Sequence, residues 1–329
     1  MIDSRQIVQK TRYVIDMCQR LTLSQSKMVD CYLARIQSRD PDTRQVEITM
    51  RELEEMWRVS ELKPAEVRKH IATLLSDAQV VRGDVRGKEP VTQVNFFAEA
   101  LSYKDASGKW VVRLACTAEA MPYIFYIEDL GYVRYELKDA MHFRNKYSYL
   151  MFLYILRNAF RRNWVVPIGK LGEQLACTGV ERYQEFKHFN NEILKRSHED
   201  MISSGVIIYQ YNLIRKGRAY ESVEFRVIKV LGQIARKHAL DRDKLLANPL
   251  LSFSTIAGDL LNEREVAEIV AQIGRIGIKD HGKQLAYFDD LVARISAQPS
   301  VKYKARYMQK MIEYDFLEGK ADEYKGKGQ

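Results

Sequence analysis

The sequence lacks any hydrophobic run long enough to cross a membrane. Its longest apolar stretch runs only from Tyr149 to Leu156, whereas a membrane-spanning helix needs about 20 residues. The first ten residues, MIDSRQIVQK, also lack the apolar core of a secretory signal. We therefore expect a cytoplasmic protein that makes no membrane contact.

Disulfide and metal-ligand patterns are missing as well. The four cysteines are scattered without a CxxC pair, and the six histidines never fall at metal-ligand spacing. Free thiols in a reducing compartment are the simplest interpretation of the cysteines. A DNA-nicking enzyme is disfavoured, because its metal site needs a His-x-His strand motif that this sequence does not have. We expect neither a metal nor another cofactor.

A phosphate-binding loop is absent too. The nearest match runs from Gly83 to Glu89, but it is one residue short between its glycines, and Glu89 stands where a magnesium-binding Ser or Thr belongs. Gly87 and Lys88 are better interpreted as the tip of a hairpin, equivalent to Gly217 later in the chain. Since the sequence also has no recognisable catalytic constellation, we do not expect an enzyme.

Positive charge, by contrast, is abundant. The chain of 329 residues has a formal net charge of +9 and a pI near 9.2. This balance favours a polyanionic partner, most often nucleic acid. The length suits two or three domains of ordinary size.

Residues 140–230 have the element order of a winged helix. Apolar residues at helical spacing from Tyr149 to Leu156 predict a first helix, and a short β-like stretch follows at Trp164–Pro167. A second, shorter helix comes next, and then a longer one that begins near Arg182. Two strand-like runs within residues 208–227, with Gly217 between them, predict a hairpin.

Residues 1–139 repeat this order, so we predict an internal duplication. The aligned apolar positions are Ile48, Met50, Leu53 and Trp57 with Val166, Ile168, Leu171 and Leu175, and, after one inserted residue, Val67, Leu74 and Leu75 with Phe186, Ile193 and Leu194. The predicted fold is α+β and mainly helical, with two tandem winged-helix domains. A helical stretch from Ala118 to Asp139 is expected to join them.

Residues 231–319 have helical periodicity and no strand signals. Their last amphipathic segment holds Tyr303, Tyr307, Met311, Ile312 and Phe316. We expect a helical C-terminal region whose amphipathic segments either pack on each other or bind a protein partner. The small, polar, Gly- and Lys-rich tail at 320–329 is predicted to be disordered.

The duplicated fold predicts where double-stranded DNA would bind. In a winged helix the third helix lies in the major groove and the hairpin tip reaches the neighbouring backbone or minor groove. Arg reads guanine and Asn or Gln reads adenine, while tip cations neutralise phosphates. A solvated charged surface is the alternative explanation for each residue singly. The predicted DNA-binding residues are Arg182, Tyr183, Gln184, Lys187, His188, Asn190, Asn191, Lys195, Arg196, Arg215, Lys216, Gly217 and Arg218 in the second domain, and Lys63, Arg68, Lys69, Arg86 and Lys88 in the first.

Residues 5–230 resemble iteron-type plasmid replication initiators, most clearly after residue 140. In that family a Tyr-Ser pair opens a helix that ends in Leu-Tyr-x-Leu-Leu, as in Tyr147–Leu156 here. A Lys-Gly-Arg ribbon tip and a Val-x-Phe return strand follow, as in Lys216–Arg218 and Val223–Phe225. The departures are Leu150, where the family usually has Arg, and the pair 190–191, where an arginine run is common.

The resemblance implies a protein that binds directly repeated sites in a plasmid origin and helps to melt the adjacent DNA. It also implies recruitment of a host replication initiator and helicase, with dimers that repress their own promoter and monomers that initiate. The residues themselves indicate only tandem winged helices on DNA, without catalysis. The alternative function is a tandem winged-helix transcriptional regulator with no replication role.

Overall fold

The computed structural model describes residues 6–36, 44–82, 92–125, 127, 132–230, 249–258, 260–298, 301 and 303–325. These residues fall into two compact units, one that ends by residue 230 and one that begins at 249. Two winged-helix modules make up the first unit, and helices make up the second, as the sequence predicted. None of the described helices is long and apolar enough to cross a bilayer.

The first module alternates helices with short strands. It consists of α2 (Leu23–Arg35), β2 (Gln45–Thr49), α3 (Met50–Trp57), α4 (Pro64–Asp77), β3 (Gln79–Arg82), β4 (Thr92–Asn95), β5 (Phe97–Lys104) and β6 (Trp110–Cys116). It is preceded by β1 (Ile7–Thr11) and α1 (Arg12–Cys18). It is followed by a 3-10 turn (Met121–Tyr123), β7 (Tyr132–Glu136) and α5 (Leu137–His142).

Local sequence signals set the starts of the helices in this module. Thr22 and Thr49 cap α2 and α3 through capping boxes, in which the threonine side chain accepts a backbone N–H while Gln25 or Glu52 reaches back. Pro64 occupies the first turn of α4, where its missing N–H costs nothing. These signals place α4 as the third helix of the module, the position that reads DNA in a winged helix.

The wing of the first module is not the hairpin that the sequence predicted. The three-stranded sheet has the order β2-β6-β5, so the ribbon is β5–β6 with its turn at 105–109. The hairpin β3–β4 is an additional two-stranded sheet between α4 and this ribbon. The proposed equivalence of Gly87 and Lys88 with Gly217 is therefore wrong by topology, and Arg86, Gly87 and Lys88 themselves lie outside the described residues.

The second module has the same plan. Its elements are α6 (Lys146–Asn158), β8 (Asn163–Pro167), α7 (Ile168–Gln174), a long third helix, β9 (Ile207–Lys216) and β10 (Ala219–Val230). The sheet order is β8-β10-β9, which is the order β2-β6-β5 again. Strands β2 and β8 begin and end at one constant offset along the chain, and α3 and α7 begin at that offset too. The predicted duplication is confirmed.

The third helix of the second module, called the reading helix below, has three consecutive segments. They are α8 (Phe186–His188), a π-helical segment (Phe189–Lys195) and α9 (Arg196–Ser204). The predicted start near Arg182 is wrong, because Glu185 has an extended backbone (φ −80°, ψ 113°) that separates the helix from a 3-10 turn at Glu181–Gln184. Residues Arg182, Tyr183 and Gln184 lie in that turn.

The predicted helix from Ala118 to Asp139 is also wrong. Among its described residues the structure has a 3-10 turn and then strand β7, which pairs antiparallel with β1, and helix α5 begins only at Leu137. Val133 and Tyr135 alternate inward in β7 and are buried, which is the period of a strand. Because β1 comes from the start of the chain, the two ends of the first module meet where the second module begins.

A fully buried ion pair lies at this meeting point. Lys10 on β1 and Asp30 on α2 are both 0% exposed, with Nζ and Oδ1 2.6 Å apart. Two tyrosine hydroxyls complete the site: Tyr135 on β7 donates to Asp30 (2.7 Å), and Tyr149 on α6 accepts from Lys10 (2.6 Å) and donates to Asp30 (3.0 Å). Burial is the largest single cause and lowers the pKa of Lys10, but the charges and hydrogen bonds of Asp30 and Cys18 together outweigh it and raise that pKa. The second module thus contributes Tyr149 to a charge pair of the first.

The described part of the second unit contains four α-helices, labelled α10 (Pro249–Ala257), α11 (Glu263–Arg275), α12 (His281–Ser296) and α13 (Lys304–Leu317). Its core includes Phe253, Ile269 and Phe288, all fully buried. Asn262 opens α11 with a capping box, and Asp280 caps α12. The described part of this unit has no strand, which agrees with the predicted helical region.

In α13 the buried positions are Met308, Ile312 and Asp315, whereas Tyr303, Tyr307 and Phe316 lie on the surface. The predicted disorder of residues 320–329 does not hold for their described part. The tail is ordered as far as residue 325, because Ala321 is buried and the Tyr324 ring packs on Tyr287 at 5.0 Å. Residues 326–329 lie outside the described part.

We predict that the Lys10–Asp30 pair is strongly coupled. Lys10→Met leaves a buried carboxylate without its counter-ion and should reduce the free energy of unfolding by about 3–5 kcal/mol. Adding Asp30→Asn removes the stranded charge while keeping a partner for the tyrosine hydroxyls. The double variant should therefore be more stable than Lys10→Met alone in urea unfolding. Strictly additive losses would contradict this coupling.

Candidate nucleic-acid interface

An aromatic bridge joins the ribbon of the second module to its reading helix. Phe186, the first residue of the helix, stacks on Tyr220 of β10 with ring centroids 4.5 Å apart. The guanidinium of Arg215 lies 4.4 Å from the centre of the same Tyr220 ring and also donates a hydrogen bond to the Tyr220 hydroxyl. The bridge brings the cations near the ribbon tip next to the start of the reading helix.

The ribbon tip is a tight turn at Gly217. Its φ of +64° lies in the left-handed region that glycine adopts without strain. Lys216 is exposed and its Nζ is 3.1 Å from Glu221. Arg218 is exposed and has no ion pair or hydrogen bond with any other described residue. Of the three predicted tip cations, Arg218 is thus the one most available to a phosphate.

Carboxylates hold two of the predicted DNA-reading residues. Arg182 pairs with Glu192, one turn into the reading helix, and this hydrogen bond lowers the pKa of the Glu192 carboxyl. His188 lies between Glu185, 3.1 Å from Nε2, and Glu192, 3.2 Å from Nδ1. These carboxylates would compete with DNA groups for Arg182 and His188.

Three other predicted residues of the reading helix are exposed and unpaired. Lys187, Asn191 and Lys195 lie on the surface and make no ion pair or hydrogen bond with another described residue. They recur every four residues, whereas the buried residues Phe189 and Ile193 occupy the opposite side. Among the remaining predicted positions of this segment, Gln184 is exposed and Arg196 pairs with Asp200 at 3.3 Å.

Two predicted residues have a different environment. The Tyr183 ring packs edge-on against Tyr147 of α6, with ring centroids 5.2 Å apart. Burial is the main cause that raises the pKa of Tyr147 to about 12, and the neighbouring Tyr183 adds to it. Asn190 is half-buried, and its Oδ1 is enclosed without a hydrogen-bond partner. The structure does not bring either side chain to the exposed row of the reading helix.

The first module has its own aromatic bridge, at Trp110. The guanidinium of Arg68, on α4, lies 5.5 Å from the Trp110 ring, and Nζ of Lys104 lies 5.6 Å from it. Trp110 pairs with Lys104 across β5–β6 as Tyr220 pairs with Arg215 across β9–β10. In each module, this pair lies next to the point at which the second ribbon strand begins to pair with the first strand of the sheet. These strands are β10 and β8 in the second module, and β6 and β2 in the first. In both modules an aromatic ring of the ribbon therefore contacts the third helix, through Phe186 in the second module and through Arg68, which aligns with Lys187, in the first.

The structure adds ribbon cations to the first module that the sequence analysis missed. Lys104 and Lys109 flank the turn of the β5–β6 ribbon, in which Asp105 Oδ1 accepts the backbone N–H groups of Ser107 (2.8 Å) and Lys109 (2.9 Å). The run Asp-Ala-Ser-Gly was the available signal, since Asp and Gly favour such turns. Of the residues that were predicted, Lys63 and Lys69 are exposed.

The polar groups of the two bridges are exposed hydrogen-bond donors, which suits phosphates and base edges. In the described part of the chain no group of three His, Cys, Asp or Glu side chains could hold a metal ion.

Comparison with known proteins places the first module in a family. Residues 7–156 match the model described as "Initiator Replication protein, WH1". A crystal structure of the Pi initiator protein in complex with iteron DNA matches with a TM-score of 0.55 and 16% identity, over 70% of this chain and 100% of that one. Domains 2 and 3 of RctB match over 63% of this chain and 81% of theirs, at a TM-score of 0.40 and 10% identity. No curated protein sequence matches the chain significantly.

The matched range begins at β1 and ends within α6, the two elements that Lys10 and Tyr149 connect. It therefore contains the whole first winged helix and the contact through which the second module is attached. The first module is thus similar to the WH1 domain of initiator replication proteins.

Proposed function

We propose that the protein initiates plasmid replication by binding directly repeated sites in origin DNA. The observation that carries this proposal is the contact between the third helix and an aromatic ring of the basic ribbon, which is present in both winged helices. The match to the Pi initiator, which was crystallised with iteron DNA, supports the same proposal.

In this proposal each bridge divides the contact with DNA between two elements. The reading helix enters the major groove, where the exposed row of Lys187, Asn191 and Lys195 faces base edges. The ribbon cations, above all Arg218, neutralise phosphates of the neighbouring backbone. The first module repeats the arrangement with α4 and the β5–β6 ribbon, so one chain would cover two successive major grooves, about 10 bp apart.

Footprinting of the purified protein on the DNA that flanks its own gene tests this function. We expect protection of a series of direct repeats. A single protected palindrome over the promoter would instead support the alternative, a transcriptional regulator with no replication role. The family match of the first module is the observation that favours initiation over that alternative.

Two single substitutions on that site should separate the ribbon from the helix. Arg218→Ala should weaken binding to specific and random DNA alike and reduce the slope of log K against log salt by about 0.9, one phosphate contact. Asn191→Ala should cost about 1–3 kcal/mol on the specific site only. Equal losses on both DNAs for both variants would contradict this division.

The ribbon of the first module gives a further prediction. Lys104→Ala should weaken binding to the repeats, because Lys104 would face the phosphates beside α4, and it should reduce the salt slope by about 0.9. Lys279→Ala is the matched control, since it removes one exposed positive charge from the second unit. Point variants are preferable to a fragment that begins near residue 140, which would lack the Lys10–Asp30 partner of Tyr149. Identical salt slopes for Lys104→Ala and the wild type would show that this ribbon does not contact DNA.

Recruitment of a host initiator and helicase, and repression of the protein's own promoter by a dimer, belong to the same proposal. Both are implied by the resemblance to iteron-type initiators. A reporter driven by the gene's own promoter measures the second property. Supplying the protein in trans should lower reporter expression, and Arg218→Ala should relieve part of that repression. Unchanged expression at a protein level that saturates the origin repeats would contradict autorepression.

A further inference from the structure

Helix α13 of the second unit presents a row of large side chains to solvent. Tyr303, Tyr307, Tyr314 and Leu317 are 75%, 37%, 60% and 81% exposed. Their spacing of four, seven and three residues places them on one side of the helix. The opposite side holds the buried Met308, Ile312 and Asp315, so core packing does not account for the exposed row.

The charges around this row differ between its two halves. In the half that contains Tyr303 and Tyr307, the cations Lys304, Arg306 and Lys310 have no carboxylate partner among the described residues. Beyond Tyr314, both lysines that the structure describes are neutralised: Lys320 pairs with Glu318 at 2.7 Å, and Lys325 pairs with Asp322 at 2.6 Å. The first half, residues 303–310, is called the basic-aromatic surface below.

Uncompensated positive charge at the beginning of a helix is unfavourable. The first turn of α13 contains no acidic residue, and Tyr303 at the N-cap makes no side-chain capping bond. Lys304 and Arg306 therefore add positive charge to the positive end of the helix dipole. A bound polyanion would relieve this repulsion, and the two exposed tyrosine rings would lie beside it.

We propose that the basic-aromatic surface binds single-stranded DNA. Tyr303 and Tyr307 offer ring faces about 6 Å apart along the helix axis, and exposed bases of a single strand stack on such rings without sequence preference. Arg306 and Lys310 each follow one of these tyrosines by three residues, so each stacked base has a cation beside it for its phosphate. A duplex fits less well, because its base faces are already stacked on one another.

Charge also argues against a second copy of the chain as the occupant. Antiparallel pairing of two α13 helices about Lys310 would place Lys310 opposite its own copy at the centre of the contact. Like charges that face each other across such an interface are destabilising. The surface lies outside both winged helices, so this proposal does not depend on the origin-repeat function proposed above.

The test measures binding of the full-length protein to a dye-labelled oligothymidine by fluorescence anisotropy. The Tyr303→Ala/Tyr307→Ala double variant should bind at least about tenfold more weakly than the wild type. Lys310→Ala should reduce the salt slope by about 0.7, the value for one phosphate of a single strand. Binding to a duplex that carries the origin repeats should be unchanged in both variants, which separates this site from the winged helices.

Tyr314→Ala is the matched control, because Tyr314 is exposed on the same row but its neighbouring cation is neutralised. It should bind the oligothymidine within about twofold of the wild type. Circular dichroism melting checks that each variant remains folded. Wild-type affinity of the double variant for the oligothymidine would overturn the proposal, and an equal loss in Tyr314→Ala would overturn the assignment to residues 303–310. If the double variant lost binding to a polyglutamate peptide but bound oligothymidine as the wild type does, the surface would bind an acidic protein instead.

Discussion

The buried pair of Lys10 and Asp30 is the interaction on which the first unit depends. Two charges without access to water are tolerated only when each has its counter-ion and its hydrogen-bond partners in place. The required partners come from separate parts of the chain: Lys10 from β1, Asp30 from α2, Tyr135 from β7 and Tyr149 from α6. Pulling any one of these elements away would leave a charge stranded in the interior, so the pair holds both modules in one arrangement.

A second buried lysine supports the same junction. Nζ of Lys27 donates to the backbone carbonyls of Met56 (2.9 Å) and Met141 (3.1 Å), near the C-terminal ends of α3 and α5. Burial is the main cause that lowers the pKa of Lys27 to about 8, and the charge of Arg58 adds to it. The ammonium group lies where two helix dipoles are negative, which offsets part of its desolvation. The helix that precedes the second module is thus also fixed from the first.

Much of this architecture could be predicted from the sequence because it depends on local signals. The strand–helix pairs at Gln45–Trp57 and Asn163–Gln174 have the same apolar spacing, and the ribbon tip at Gly217 has its turn glycine. The wing of the first module could not be predicted in this way. Two hairpins follow α4, and only the pairing of β6 with β2 shows which of them is the ribbon. Tyr183 and Glu192 were likewise ambiguous, since packing on Tyr147 and capture of Arg182 depend on contacts distant in sequence.

The π-helical segment of the reading helix has a consequence for how its surface is laid out. In a regular α-helix, residues four apart drift steadily around the axis, but the wider turns at Phe189–Lys195 offset that drift. Phe189, Ile193 and Ser197 therefore all remain buried, and Lys187, Asn191 and Lys195 form a nearly straight ridge. A straight ridge follows a groove with one side chain per step, so each position can be exchanged independently of its neighbours. Under the proposed function, single substitutions on this ridge would change the DNA site that is bound without any change to the core that supports the helix.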